Sequence, residues 1–119
     1  MPYGQRIYYV IGPMRGKPYY NADAFDAAEA RLRAQGHDVI SPIKMDLAVG
    51  VDVRAYPPDT DWRQYPPGFD RDACFRRCMD AVGCATHIYR LTGWAASTGA
   101  CAESYGAMMR GIPIEDEEG

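Results

Sequence analysis

Arg6-Ile7-Tyr8-Tyr9-Val10-Ile11-Gly12-Pro13-Met14-Arg15-Gly16-Lys17 is the stretch on which the fold turns. Its first half is β-branched and aromatic, the composition of a buried strand, and Gly12-Pro13 stops it. Downstream, Asn21 is placed to cap a helix over 22–35, with Ala24, Phe25, Ala28 and Leu32 as its apolar stripe and Gly36 as its end. His37 to Ser41 reads as a second strand closed by Pro42. Residues 43–68, with Pro57, Pro58, Pro66 and Pro67, read as a long irregular stretch, which inside a small domain signals function or disorder. A helix is predicted from about Asp70 to Val82, a strand from His87 to Leu91, and a Gly-rich turn over 93–99. A helix to Arg110 and a short strand over 112–114 complete the chain, and the acidic end, 115–119 with Ile114 before it, is expected to fray.

Apolar strands joined by helical connections predict an α/β fold: a three-layer, open, mainly parallel sheet of four to five strands, Rossmann- or flavodoxin-like, with helices on both faces. All 119 residues are read as one domain, long enough to bury about two-thirds of the unfolded surface. Such sheets bind ligands beyond the carboxyl ends of their strands. That rule gathers 12–20, 42–68 and 92–103 around one crevice.

Composition narrows the function classes. With 47% hydrophobic and 24% charged residues the chain is an ordinary globular protein. A net charge of −3 and the lack of any basic run argue against a polymeric nucleic acid partner. A single nucleotide needs only one or two placed cations and a helix N-terminus. Met1 to Arg6 is polar, Ile7–Ile11 is too short for a leader, and nothing approaches the roughly 20 apolar residues of a membrane span. A cytoplasmic protein without a membrane partner is expected. Cys74, Cys78, Cys84 and Cys101 are then thiols, read as small buried side chains, because their spacing fits no common zinc pattern. Neither metal nor cofactor is expected.

Two loops hold residues that could do chemistry. In the first, Gly12 and Gly16 let backbone approach a ligand, and Arg15 offers a planar fork to phosphate or carboxylate. On spacing alone, a plain turn with solvated Arg15 and Lys17 is the favoured reading of it. In the second, Ser97 or Thr98 caps a helix whose free N–H groups suit an anion, and Gly99 keeps the approach open. Glu103 stands in its first two turns among Ala100, Cys101, Ala102 and Ala107. Taken bare, a dipole-stabilised surface carboxylate fits slightly better than a semi-buried nucleophile. Trp94 divides evenly between stacking on a base and covering the sheet edge. Trp62 reads as a lid or dimer contact, and His37 and His87 as structural.

Order and spacing together tip the balance. Tyr9 through Gly16, then Asn21 and Phe25, then Gly36 to Val39 and Pro42, then Gly93-Trp94, Ser97, Gly99-Ala100, Glu103 and Ala107, resemble the nucleoside 2-deoxyribosyltransferase-like superfamily. The nearest likeness is to its short phage- and prophage-encoded branch. It covers roughly residues 6–114, most weakly over 43–68. The resemblance implies that Glu103 attacks the anomeric carbon and holds the sugar covalently, with Tyr9 beside it. It further implies that Arg15 lines a sugar–phosphate site, and that Ser97, where nucleoside transferases carry Asp, leaves room for a 5′-phosphate. The superfamily's second acid falls in register on Cys78, so Asp72 or Asp80 is left to substitute. Expected, then, is cleavage or transfer at the N-glycosidic bond of a (deoxy)nucleoside 5′-monophosphate, by a protein that plausibly works as a homodimer. The alternative is a nucleotide-binding protein without catalysis, such as a phage sensor or sponge.

Overall fold

A computed structural model describes residues 5–117. Met1 to Gly4, most of the polar start read above, and the last two residues of the acidic end lie outside the described part.

The strand at the head of the sequence, β1 (Ile7–Ile11), has four of its five residues buried and is the centre of the molecule. It pairs in parallel with β2 (Asp38–Ile40) on one side and with β3 (His87–Arg90) on the other. β4 (Ile114–Asp116) adds in parallel to the outer edge of β3, so the strand order is β2-β1-β3-β4. The sheet has four strands, all parallel, an α/β architecture of the Rossmann or flavodoxin kind.

Strand alternation divides the core into two layers. Tyr8 and Val10 point to one face, against Phe25, Ala28 and Leu32 of α1 (Ala22–Ala34). Tyr9 and Ile11 point to the other, against Cys78 and Val82 of α3 (Arg71–Cys84) and Ala100 and Ala107 of α4 (Thr98–Met109). Each fully buried Ile or Val in this strand contributes about 1.5–3 kcal/mol. Helices cover both faces because the crossovers turn outward from β1 in opposite directions.

Five expectations need correction. The 43–68 stretch is not wholly irregular: α2 (Pro42–Ala48) starts it, and a 3-10 turn spans Val53–Ala55. Pro42, read as a strand stop, is the first residue of α2, where its missing N–H costs nothing. Asn21 does not cap α1 with its side chain; Nδ2 donates instead to the Pro13 carbonyl at 2.9 Å. The acidic end does not fray within the described residues. Glu115 accepts from Arg6 at 2.7 Å, Asp116 takes both guanidinium nitrogens of Arg90 at 2.5 and 2.9 Å, and Glu117 accepts from Arg31 at 2.9 Å. Facing arginines make a clasp of carboxylates that by composition look solvated.

Trp62, read as a lid or dimer contact, belongs to the core. It is buried against Tyr19 and Tyr20, ring centroids 4.8 and 5.1 Å away, and its carbonyl accepts from Gly16 N–H at 2.9 Å. Tyr19, Tyr20 and Asn21 all have left-handed backbone, with φ of 51°, 52° and 68°. Bulky residues there cost about 1–3 kcal/mol each. Packing on Trp62 and the Tyr20 hydroxyl donating to Gln64 O at 2.5 Å hold the turn in place.

Candidate active site

The sheet reverses its winding between β1 and β3, and beyond their carboxyl ends lies a cleft of about 910 Å³. That volume suits a nucleotide-sized ligand. The three anticipated segments all line it, joined by the first two turns of α3. Gly12 begins the wall where β1 passes closest to β3: a Cβ there would lie 2.7 Å from Leu91 Cδ1. Gly93, at φ +87°, makes the matching turn after β3.

Tyr9 and Glu103 meet in the wall. The Tyr9 hydroxyl donates to Glu103 Oε2 at 2.5 Å, and both residues are buried. β1 directs Tyr9 to the α4 face, and the apolar inner side of α4 leaves Glu103 little water. Burial pushes the Glu103 carboxyl up to about 8, and neighbouring Cys78 adds to the rise. The Tyr9 hydrogen bond works the other way, favouring the carboxylate. Tyr9 itself is pushed well above the ordinary phenol range, first by burial and then by Glu103. It therefore remains a donor.

α4 starts at the cleft. Ser97 caps it, its Oγ accepting from Ala100 N–H at 3.2 Å. Gly99 and Glu103 are four residues apart and share a helix face. A Cβ at Gly99 would meet nothing within 4 Å, so the space above the first turn belongs to the cleft. Arg15 and Gly16 line the opposite lip. The Arg15 guanidinium lies 4.6 Å from the centre of the Tyr65 ring, and that of Arg71 lies 4.7 Å from it. Neither arginine forms an ion pair among the described residues.

Trp94 lies outside the cleft lining. Its ring carries the Arg90 guanidinium 3.6 Å away and packs on the α3/α4 side of the core. Asp72 and Asp80 divide: exposed Asp72 sits on the cleft rim in the first turn of α3, and exposed Asp80 lies off it. Cys78 stands against Tyr9 and Glu103. All four cysteines are free thiols; Cys84 and Cys101 are exposed rather than buried. His37 and His87 stay at the amino end of the sheet, accepting from Arg6 N–H at 3.1 Å and meeting the Thr86 hydroxyl at 2.9 Å. No cluster of His, Cys, Asp and Glu that could hold a metal ion occurs among the described residues.

Asp46 is the residue that sequence reasoning missed. It comes from α2, is 6% exposed, and lines the cleft. Burial raises its carboxyl to about 6, against the pull of Arg77. The Cys74 thiol donates to its Oδ1 at 4.0 Å, and Cys74 in turn contacts Cys78, so a chain of polar groups runs from Asp46 to Glu103. The one local mark of α2 is Ser41-Pro42, an N-cap residue type with proline at the first helical position, a pair that serves equally to end a strand.

Fold and site together define an open parallel α/β protein with two buried carboxyls lining a cleft at the switch point of its sheet. The chain belongs to the family described as a domain of unknown function (DUF4406), whose pattern matches residues 6–116. No curated protein and no solved structure matches it. No helix among the described residues is long and apolar enough to cross a membrane.

Proposed function

We propose that this protein cleaves, or transfers across, the N-glycosidic bond of a (deoxy)nucleoside 5′-monophosphate, with Glu103 as the attacking carboxylate. One observation carries the reading: a buried carboxyl, oriented by a tyrosine hydroxyl, faces a nucleotide-sized cleft at the carboxyl edge of the sheet. Its likeness to the nucleoside 2-deoxyribosyltransferase-like superfamily, in its phage-encoded branch, supports the same chemistry. Glu103 attacks the anomeric carbon and the base departs; water or a second base then releases the sugar. Tyr9 holds the carboxylate in line and donates to the oxygen that does not attack. The α4 N-terminus, through Ser97 and Gly99, and Arg15 across the lip, receive the phosphate.

A second reading is favoured by the protonation of Glu103. With its carboxyl raised to about 8, most molecules at neutral pH carry it uncharged, and an uncharged carboxyl is no nucleophile. On that reading the cleft binds nucleotide without cleaving it. Chromatography for free base after incubation with a panel of nucleotides and matching nucleosides separates the two. Wild-type protein should release base, and Glu103→Gln should abolish release while keeping nucleotide affinity within about tenfold. Nucleotide binding without release in the wild type leaves only the second reading. The first also includes a cytoplasmic homodimer, since α4 exposes Tyr105, Met108 and Met109 as well as burying its inner side.

A further inference from the structure

We propose that Asp46 is the acid that protonates the departing base. The assignment rests on the reading of Glu103 as the attacking group.

A base leaving as an anion is a poor leaving group, and a proton delivered in the transition state accelerates its departure by about 10²–10⁴-fold. The donor must reach the cleft, be shielded from water and hold its proton against any nearby cation. Asp46 meets all three conditions. It lines the cleft, is 6% exposed, and makes no ion pair among the described residues. Its one side-chain hydrogen-bond partner there is the Cys74 thiol. Asp72 fails because it is exposed on the rim, Asp80 because it lies outside the cleft. Cys78 cannot serve, since its thiol is pushed far up by its contact with Cys74 and by burial.

Asp46 comes from α2 and Glu103 from α4, and both line the cleft, so the attacking group and the proton donor are separate side chains on one ligand space. The steps balance. A Glu103 oxygen bonds to the anomeric carbon, the bond to the base nitrogen breaks, and its electron pair stays on the base. The Asp46 proton moves onto the base. Water then attacks the anomeric carbon, gives a proton to the Asp46 carboxylate, and frees Glu103.

The charged and titratable groups around Asp46 are Arg77, Cys74 and Cys78 of α3, with Glu103 of α4 and Tyr9 of β1 linked through the thiols. The working state has Asp46 protonated and Glu103 ionised. With carboxyls at about 6 and about 8, that state is populated by about one molecule in a hundred between those values. The rate on an ordinary base is therefore level between them. A base that is already cationic needs no proton, so its release should climb until Glu103 is ionised.

The test compares adenosine 5′-monophosphate with its N7-methylated form, whose base has no ring N–H to lose, stays cationic across the range and departs neutral without a proton. Wild-type release from the unmethylated nucleotide should be flat from about pH 6 to 8 and fall above that, whereas release from the methylated one rises to about pH 8 and then levels. Asp46→Asn should slow release from the unmethylated nucleotide at least about 100-fold and from the methylated one less than about threefold. The wild-type profiles alone decide the matter if the variant does not fold. Identical profiles for the two nucleotides, or equal losses in Asp46→Asn, overturn the assignment and leave Glu103 as nucleophile. No base from either nucleotide in the wild type overturns the glycosidic reading, and this assignment with it.

Discussion

Tyr9 and Glu103 set each other's chemistry. The hydroxyl keeps the carboxylate oriented, and the hydrogen bond offsets part of the burial that drives Glu103 up to about 8. Tyr9→Phe removes that bond while keeping the ring, so the Glu103 midpoint should move higher still, by about one unit or more. Carbon-13 NMR titration of the glutamate carboxyls measures it in the absence of any substrate. A midpoint unchanged or lowered in the variant would show that the hydroxyl does not stabilise the carboxylate. At this scale the sequence was informative for Glu103, Tyr9 and Arg15 and silent on Asp46. Arg15 and Glu103 stand on a turn and a helix that local composition marks, and Tyr9 in the strand that opens the sequence, but their roles were implied by the resemblance and not by composition. Asp46 matters only because Cys74 and the cleft come to it from 28 residues away.

On the proposed function, substrate class depends on the start of α4. Ser97 caps the helix through its own oxygen, and Asp is as good a cap as Ser. Ser97→Asp should therefore keep the fold and stability intact, within about 0.5 kcal/mol, and change only the charge facing the ligand. On the proposed function the variant loses affinity for a nucleoside monophosphate by at least about tenfold and keeps or slightly gains affinity for the nucleoside. Calorimetric titration of both ligands with both proteins measures this. Monophosphate binding as tight as in the parent would reduce Ser97 to a helix cap. The elements themselves were largely legible: β1, α1, β3 and α4 follow from periodicity, Gly stops and a capping serine. α2 was not, since a seven-residue helix opening on Pro42 offers too few turns for an apolar period to emerge. Nor was the left-handed turn of Tyr19, Tyr20 and Asn21: asparagine accepts that backbone, but the two tyrosines do not favour it and are packed on Trp62, 42 to 43 residues ahead.

For the whole molecule, the two cleft carboxyls make stability depend on pH. Glu103 and Asp46 bind their protons more tightly in the folded protein, at about 8 and about 6, than at their ordinary values of 4.5 and 3.8. Their contribution is complete below those ordinary values and is lost as pH rises through 6 and then 8. The melting temperature should thus decline between about pH 5 and 8. Glu103→Gln, with no charge to bury, should flatten the upper part of that decline and melt about 4 °C or more above the parent at pH 8. Thermal unfolding of both proteins across this range is the check; parallel curves would show that Glu103 ionises in the fold as readily as in the unfolded chain.

The sequence by itself determined the layers and the place of the crevice. A run of apolar β-formers must be buried on both sides, helices must cover it, and the first strand must then lie inside the sheet. It also determined that Glu103 stands one turn below Gly99, since that follows from helix geometry alone. Only the tertiary structure decided which carboxyls lose their water and which keep it. Desolvation is a property of everything packed around a group and is not written in its neighbours along the chain. Glu103 and Asp46 are buried by residues from other elements, whereas Glu115, Asp116 and Glu117 of the same acidic chemistry meet arginines across the sheet and remain paired at its edge.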